Sequence, residues 1–188
     1  MQDIKQYELL INSAQTKEQL WNAIAKISIN YQQGLNTLYR RNSGIFYTGL
    51  DLADFICHTL IEYILHSEKD IQSLKFLEPC VGIGNFVFAY LKNIEKLNLD
   101  ATKINQLLEN IYVCDIDNDA LHIYKCILHK FTQLFFNMTL PIAYWNKHIQ
   151  NKLSFNISDT NGVYTSFEET FGYLNTKFDI IITNPPYK

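Results

Sequence analysis

Apolar residues recur at helical spacing over the first third of the chain, then give way to short apolar runs separated by turns and amphipathic stretches. Leu20, Ile24, Ile27 and Tyr31 fall on one helical face behind the capping-box pattern Thr16-x-x-Gln19. Residues 1–40 therefore predict a helical extension packed on a core. Arg40-Arg41-Asn42-Ser43-Gly44 reads as a solvated loop, and Leu52, Phe55, Ile56, Leu60, Tyr63 and Ile64 then form a second helical stripe, read as core and capped by Asp51. From Lys75 onward strands and helices alternate. Residues 75–78 make a short strand, residues 82–84 a turn and residues 85–96 a helix; residues 98–110 look like an inserted helix. A second strand, residues 111–114, ends in Asp115-Ile116-Asp117 and feeds an aromatic-rich helix running to residue 136, with Asp117 as its cap. Residues 153–157 read as a third strand, Ser166-x-x-Glu169 as the cap of a short helix, and residues 178–183 as a buried fourth strand. Such alternation predicts an α/β fold with a parallel sheet wrapped by helices.

Composition narrows the function classes. With 188 residues, 47% of them hydrophobic and 14% aromatic, the chain can build one core of ordinary size. No stretch approaches the roughly 20 apolar residues of a membrane span, and Met1-Gln2-Asp3-Ile4-Lys5 lacks the regions of a signal peptide, so a cytoplasmic protein is expected. Cys57, Cys80, Cys114 and Cys126 show no C-x-x-C spacing and read as reduced, mostly buried thiols. His122, Cys126 and His129 share a helical face without a fourth ligand, so an amphipathic face is expected there and no metal. Trp21, Trp145, Phe131, Phe135 and Phe136 read as packing. A net charge of −3 lacks the basic footprint of a self-sufficient nucleic-acid binder. If the protein works on DNA, much of the grip lies elsewhere.

Three segments carry candidate chemistry. In Glu78-Pro79-Cys80-Val81-Gly82-Ile83-Gly84-Asn85-Phe86, glycines at a strand-to-helix turn let backbone approach a ligand closely. It is not the dinucleotide fingerprint, because Val87 stands where the third glycine belongs and Glu78 would repel a pyrophosphate. A cationic or zwitterionic ligand suits it better. Asp115, at the end of the second strand, can accept both hydroxyl hydrogens of a ribose, with Ile116 against an adenine face. In Asn184-Pro185-Pro186-Tyr187 two prolines fix φ and donate nothing, which makes a rigid acceptor platform. The Asn184 side-chain carbonyl and the Pro185 backbone carbonyl can each accept one hydrogen of an exocyclic amine, freeing its lone pair for attack, while Tyr187 stacks on the base.

In this order, Glu78-Pro79-x-x-Gly82-x-Gly84-x-Phe86, Asp115-Ile116-Asp117 and Asn184-Pro185-Pro186-Tyr187 resemble the DNA adenine-N6 methyltransferases of restriction-modification systems. The likeness is to the Eco57I-like and type I or type IIG modification proteins, and it covers residues 41–188. Those enzymes place a Tyr-Thr-Pro element before the glycine turn, where this chain has Tyr47-Thr48-Gly49. The resemblance implies a Rossmann-like, doubly wound, mostly parallel fold that binds S-adenosylmethionine, truncated here after strand 4 of the order 3-2-1-4-5-7-6. It implies that Tyr47 and Thr48 meet the cofactor's methionine carboxylate, Glu78, Pro79, Gly82 and Gly84 its ammonium end, Asp115 and Ile116 its nucleoside, and Asp159 its adenine amine. It further implies transfer of a methyl group to adenine N6 on the Asn184–Tyr187 platform, DNA gripped mostly by regions beyond residue 188, and restriction or specificity subunits as partners. The segment alone is then expected to be inactive on DNA, and its last strand, left as an open edge, to invite self-association. Two alternatives stay open: a protein-glutamine or ribosomal-RNA methyltransferase built on the same platform, and a non-catalytic cofactor-binding or assembly module.

Overall fold

The computed structural model describes residues 4–34, 48–67, 69–140, 148–151 and 177–185. Two helices open the chain, α1 (Ile4–Ser13) and α2 (Lys17–Gly34). The capping box forms with one change of partner: Thr16 Oγ1 accepts the Gln19 amide at 3.2 Å, and Gln19 Oε1 reaches back to the amide of Gln15 rather than of Thr16. Leu20, Ile24, Ile27 and Tyr31 are all buried, in the same core cluster as the sheet and the later helices.

Helix α3 (Leu50–His66) departs from expectation. Its N-cap is Gly49 and not Asp51, which lies inside the first turn. Leu52, Phe55, Ile56 and Tyr63 are exposed, while Leu50, Ala53, Cys57, Ile61 and Ile64 are buried. The helix is apolar on two sides, and the side with Ala53 and Cys57 lies against helix α4 (Asn85–Glu95). Small side chains there let the two backbones approach, close enough for Cys57 Sγ to donate to the Phe86 carbonyl at 3.4 Å. Of the expected stripe, Ile64 is in the core and Leu60 packs against it, while side-chain bulk misplaced the other four.

Strand β1 (Phe76–Glu78) leads through the glycine turn into α4, and helix α5 (Ala101–Glu109) precedes strand β2 (Ile111–Asp115). Asp117 caps helix α6 (Asn118–Phe136) as expected, its Oδ1 accepting the amides of Asp119 and Ala120 at 2.9 and 3.2 Å. Strand β3 (Ile149–Asn151) pairs with β2 and lies upstream of the expected third strand. Residues 153–157, like Ser166, Glu169, Arg40, Arg41 and Trp145, lie outside the described residues. Strand β4 (Ile180–Ile181) is shorter than the apolar run suggested.

All the pairings are parallel and the order is β3-β2-β1-β4, the order expected for the first four strands, with β4 at an edge of the described sheet. One sheet face, with Phe76, Ile111 and Val113, joins the main core; Leu77, Tyr112 and Cys114 form a smaller cluster with Phe178 on the other. Because β2 and β3 extend to one side of β1 and β4 to the other, the winding reverses between β1 and β4. Ligands of open α/β sheets bind at the carboxyl ends of the strands at such a reversal.

Candidate functional site

Glu78 ends β1, Asp115 ends β2 and Asn184 follows β4, so parallel pairing brings all three to one edge of the sheet. Thr48, Glu78, Cys80, Val81, Asn85, Phe86 and Asn184 line one small pocket of about 20 Å³. The glycine turn, the segment before α3 and the segment after β4 thus converge on one pocket. Tyr47, Asp159, Pro186 and Tyr187 lie outside the described residues, and Pro185 is half-buried beside Asn184. Gly49 has φ −56° and open space around an added Cβ, so it holds the conformation that a proline would impose.

Glu78 is only 2% exposed, and its Oε2 lacks a hydrogen-bond partner among the described residues. Burial, reinforced by the charge of Asp115, holds its carboxyl well above the usual range, although the Val87 amide in the first turn of α4 opposes the shift. Asn85 Oδ1 is a second buried acceptor without a partner among the described residues. With the Glu78 proton displaced by an incoming cation, Glu78 Oε2 and Asn85 Oδ1 are two acceptors around one pocket that suit a ligand group carrying several N–H donors, such as an ammonium. The expectation of a cationic end at Glu78 therefore fits the donor and acceptor inventory.

Asp115 is half-buried. Its Oδ2 accepts the Gly82 amide at 2.6 Å and its Oδ1 the Asp117 amide at 2.9 Å, which fixes the plane of the carboxylate. Burial raises its pKa, while the amides of Asp117, Gly82 and Ile116 pull it back. Each oxygen keeps lone-pair capacity for a ribose hydroxyl. Ile116, beside it, is 54% exposed, as a residue meeting a flat aromatic ligand would be.

The glycines serve packing as well as approach. Gly82 and Gly84 adopt φ +53° and +98°. A Cβ on Gly84 would lie 2.5 Å from the Tyr124 ring of α6 and 2.7 Å from Phe88. Gly84 is thus held by the core behind the turn, a role that motif spacing does not reveal. Pro79 also faces inward, its carbonyl accepting from Cys114 Sγ at 3.2 Å.

The sequence pattern marks Tyr31 only as core and Asn85 only as a helix start, and it does not mark Ser28; the bonds that join them to the site leave no signal there. Asn85 Nδ2 donates to Ser28 Oγ of α2 and to the Thr48 carbonyl, both at 2.7 Å, and the Tyr31 hydroxyl donates to Asp117 Oδ2 at 2.7 Å. Away from the site, Glu8, His122 and Cys126 bring ligand-type atoms within 4.8 Å of one another. The His122–Glu8 pair is a 2.6 Å bridge from α6 to α1, whereas His129 turns to Gln133.

The buried acid makes a pH-dependent prediction. Between the ordinary carboxyl pKa and the raised value of Glu78, the folded protein keeps a proton that the unfolded chain has released. Stability from this group is therefore complete at acid pH and falls as pH rises through that window, by about 1.4 kcal/mol per pH unit. Glu78→Gln should remove this slope, giving a variant that outlasts the parent at the alkaline end. Urea midpoints from acid to mildly alkaline pH check it; parallel curves for the two proteins would refute the assignment.

Comparison with known proteins gives the same picture. Residues 109–188 match the family described as Eco57I restriction-modification methylase. The type II methyltransferase M.VspI of Vibrio sp. (strain 343) is 26% identical over 157 residues, which cover 84% of this chain and 28% of that protein. The ATP-dependent type ISP restriction-modification enzyme LlaBIII bound to DNA shares the fold at TM-score 0.65 and 18% identity, over 93% of this chain and 12% of its own. The DrdV–DNA complex does so at TM-score 0.64 and 17% identity, over 94% of this chain and 17% of its own. The chain thus spans less than a third of the curated relative and a smaller share of the two solved enzymes. The likeness to restriction-modification methylases read from the motifs is matched by the family model over residues 109–188 and by the curated relative, and the two solved enzymes share the fold. No helix among the described residues is long and apolar enough to cross a membrane.

Proposed function

We propose that this chain, kin to the restriction-modification methylases, is the cofactor-binding part of a DNA methyltransferase that modifies adenine at N6. In this reading residues 1–40 are a helical extension, and residues 41–188 are part of a Rossmann-like methyltransferase domain. Target recognition then lies elsewhere in a longer cytoplasmic polypeptide, with DNA and restriction or specificity subunits as partners. The observation that carries the reading is the convergence of Thr48, Glu78, Asn85 and Asn184 on one pocket, beside Asp115 at the next strand end.

S-adenosylmethionine, when bound, supplies an electrophilic methyl group. Asp115 holds the ribose hydroxyls, Glu78 and Asn85 receive the ammonium, and the Tyr47-Thr48 segment meets the carboxylate. Asp159 and Ile116 take the adenine of the cofactor. On the other side of the pocket, Asn184 and Pro185 accept the hydrogens of a target amine, and Tyr187 stacks on a base extruded from the duplex. An acceptor-only platform draws the amine lone pair out of conjugation without removing a proton first. The residues in place need no metal for this step.

Titration calorimetry with S-adenosylmethionine, with NAD as a control, tests the cofactor half. Asp115→Ala should weaken binding by roughly ten- to a hundred-fold, since a hydrogen bond to a charged acceptor contributes about 1.5–3 kcal/mol. Binding of NAD in preference to the methyl donor would end this reading. Methylation of adenine in DNA by residues 1–188 alone would overturn the assignment of target recognition to other regions.

A further inference from the structure

We infer that helix α2 is a positioning element that, through Ser28 and Tyr31, sets the spacing between the Asn85 side of the pocket and the neighbouring strand end at Asp115. The inference deepens the proposed function and rests on it for the identity of the ligand.

The two residues are three positions apart, so their side chains leave nearly the same face of α2 one turn from each other. Both are buried, at 5% and 2% exposure, and their hydroxyls reach different parts of the site, Ser28 the pocket residue Asn85 and Tyr31 the loop after Asp115. Ser28 Oγ accepts from Asn85 Nδ2, and the same amide group donates to the Thr48 carbonyl. One hydroxyl thereby links α2, the first residue of α4 and the segment before α3. Asn85 also lines the pocket, and its Oδ1 is one of the two orphaned acceptors there. The orientation of its amide, fixed by Ser28 and Thr48, is what aims that oxygen.

At the strand end beside the pocket the chain of bonds is continuous. The Tyr31 hydroxyl donates to Asp117 Oδ2, the Asp117 amide donates to Asp115 Oδ1, and the Gly82 amide donates to Asp115 Oδ2. The plane of the Asp115 carboxylate, which the ribose would meet, is therefore tied to α2 through the loop after β2. Asp117 can serve both neighbours because its other oxygen, Oδ1, caps α6. A helix end could be capped by a carboxylate without any hydroxyl behind it. The hydroxyl adds a fixed distance from α2 to the strand end.

Neither contact is needed to fill the core, so the hydroxyls can be removed with little loss of packing. Tyr31→Phe keeps the ring and Ser28→Ala removes one oxygen; Ser28→Thr keeps the hydroxyl. S-adenosylmethionine affinity of the 188-residue chain should fall about three- to ten-fold in Tyr31→Phe and in Ser28→Ala, and recover toward wild type in Ser28→Thr. Amide exchange without ligand gives a readout that does not depend on the cofactor reading. Tyr31→Phe should speed exchange at Asp117 and Gly82 several-fold while helices α3 and α4 keep their protection. Affinities within two-fold of wild type, or unchanged exchange at Asp117 and Gly82, would overturn the inference. A wild-type chain that fails to bind the methyl donor would sink the proposed function, and the exchange result would still decide the positioning role. Loss of affinity matched by a uniform loss of protection would mark the hydroxyls as merely stabilising and refute it.

Discussion

Asn184→Ala in the whole protein should lower methyl transfer to DNA adenine by about 10²–10³-fold, the cost of removing one group preorganised toward a developing charge. The loss should fall on kcat, with S-adenosylmethionine affinity within a few-fold of wild type. Asn184 stands just beyond β4, across the small pocket from Glu78, and the proline after it confines it to extended backbone. Its side-chain carbonyl is proposed to accept a hydrogen from the target amine, and that contact strengthens as the nitrogen becomes tetrahedral. An interaction made mainly in the transition state shows in kcat rather than in binding. Asn184→Asp is the informative companion: it keeps an acceptor oxygen but adds a charge near Glu78 and Asp115, so it should retain more activity than alanine while binding the methyl donor differently. Transfer by Asn184→Ala within three-fold of wild type would remove Asn184 from the chemistry. Transfer by the wild type to a protein glutamine or an RNA base instead of DNA would keep the platform and change the substrate.

What the sequence disclosed, and what it did not, follows from the range of the interactions involved. Glu78, Asp115 and Asn184 are legible because each ends a short apolar run, and parallel pairing necessarily carries strand ends to one edge. The capping roles of Thr16 and Asp117 are legible because the partners lie within three residues. Helix α3 was misread because two apolar faces compete, and side-chain bulk does not say which one meets α4. Ala53 and Cys57 are the buried ones since closeness of approach, rather than area, decides that contact. The strand expected over residues 153–157 lies outside the described residues; β3 at Ile149–Asn151 carries no signal of its own because it is only three residues long, and its pairing with Val113, Cys114 and Asp115 defines it more than its composition does. The roles of Ser28, Tyr31 and Asn85 at the site were invisible for a related reason. Their bonds join residues 57 and 86 positions apart, and no periodicity records such a contact.

Gly84→Ala should destabilise the fold by about 2–5 kcal/mol, enough to unfold a marginal domain outright. Two costs combine. At φ +98° an L side chain is strained, at roughly 1–2 kcal/mol. A Cβ placed 2.5 Å from the Tyr124 ring adds the cost of overpacking, about 1–3 kcal/mol. Tyr124 cannot simply turn aside, because its ring is buried against Phe88, which in turn stacks on Phe131. Tyr124→Ala removes the closest clash but neither the backbone conformation nor the Phe88 contact at 2.7 Å. If the Tyr124 clash operates, Gly84→Ala should be less damaging in a Tyr124→Ala background than in wild type, leaving the strain and the Phe88 contact. Urea unfolding of the four proteins measures this. Full additivity would mean that the Tyr124 contact contributes nothing and that Gly84 is required for its φ and its closeness to Phe88. A Gly84→Ala variant as stable as the parent would restore the reading in which the glycine serves only to admit a ligand, and its loss would then appear in binding of the methyl donor instead.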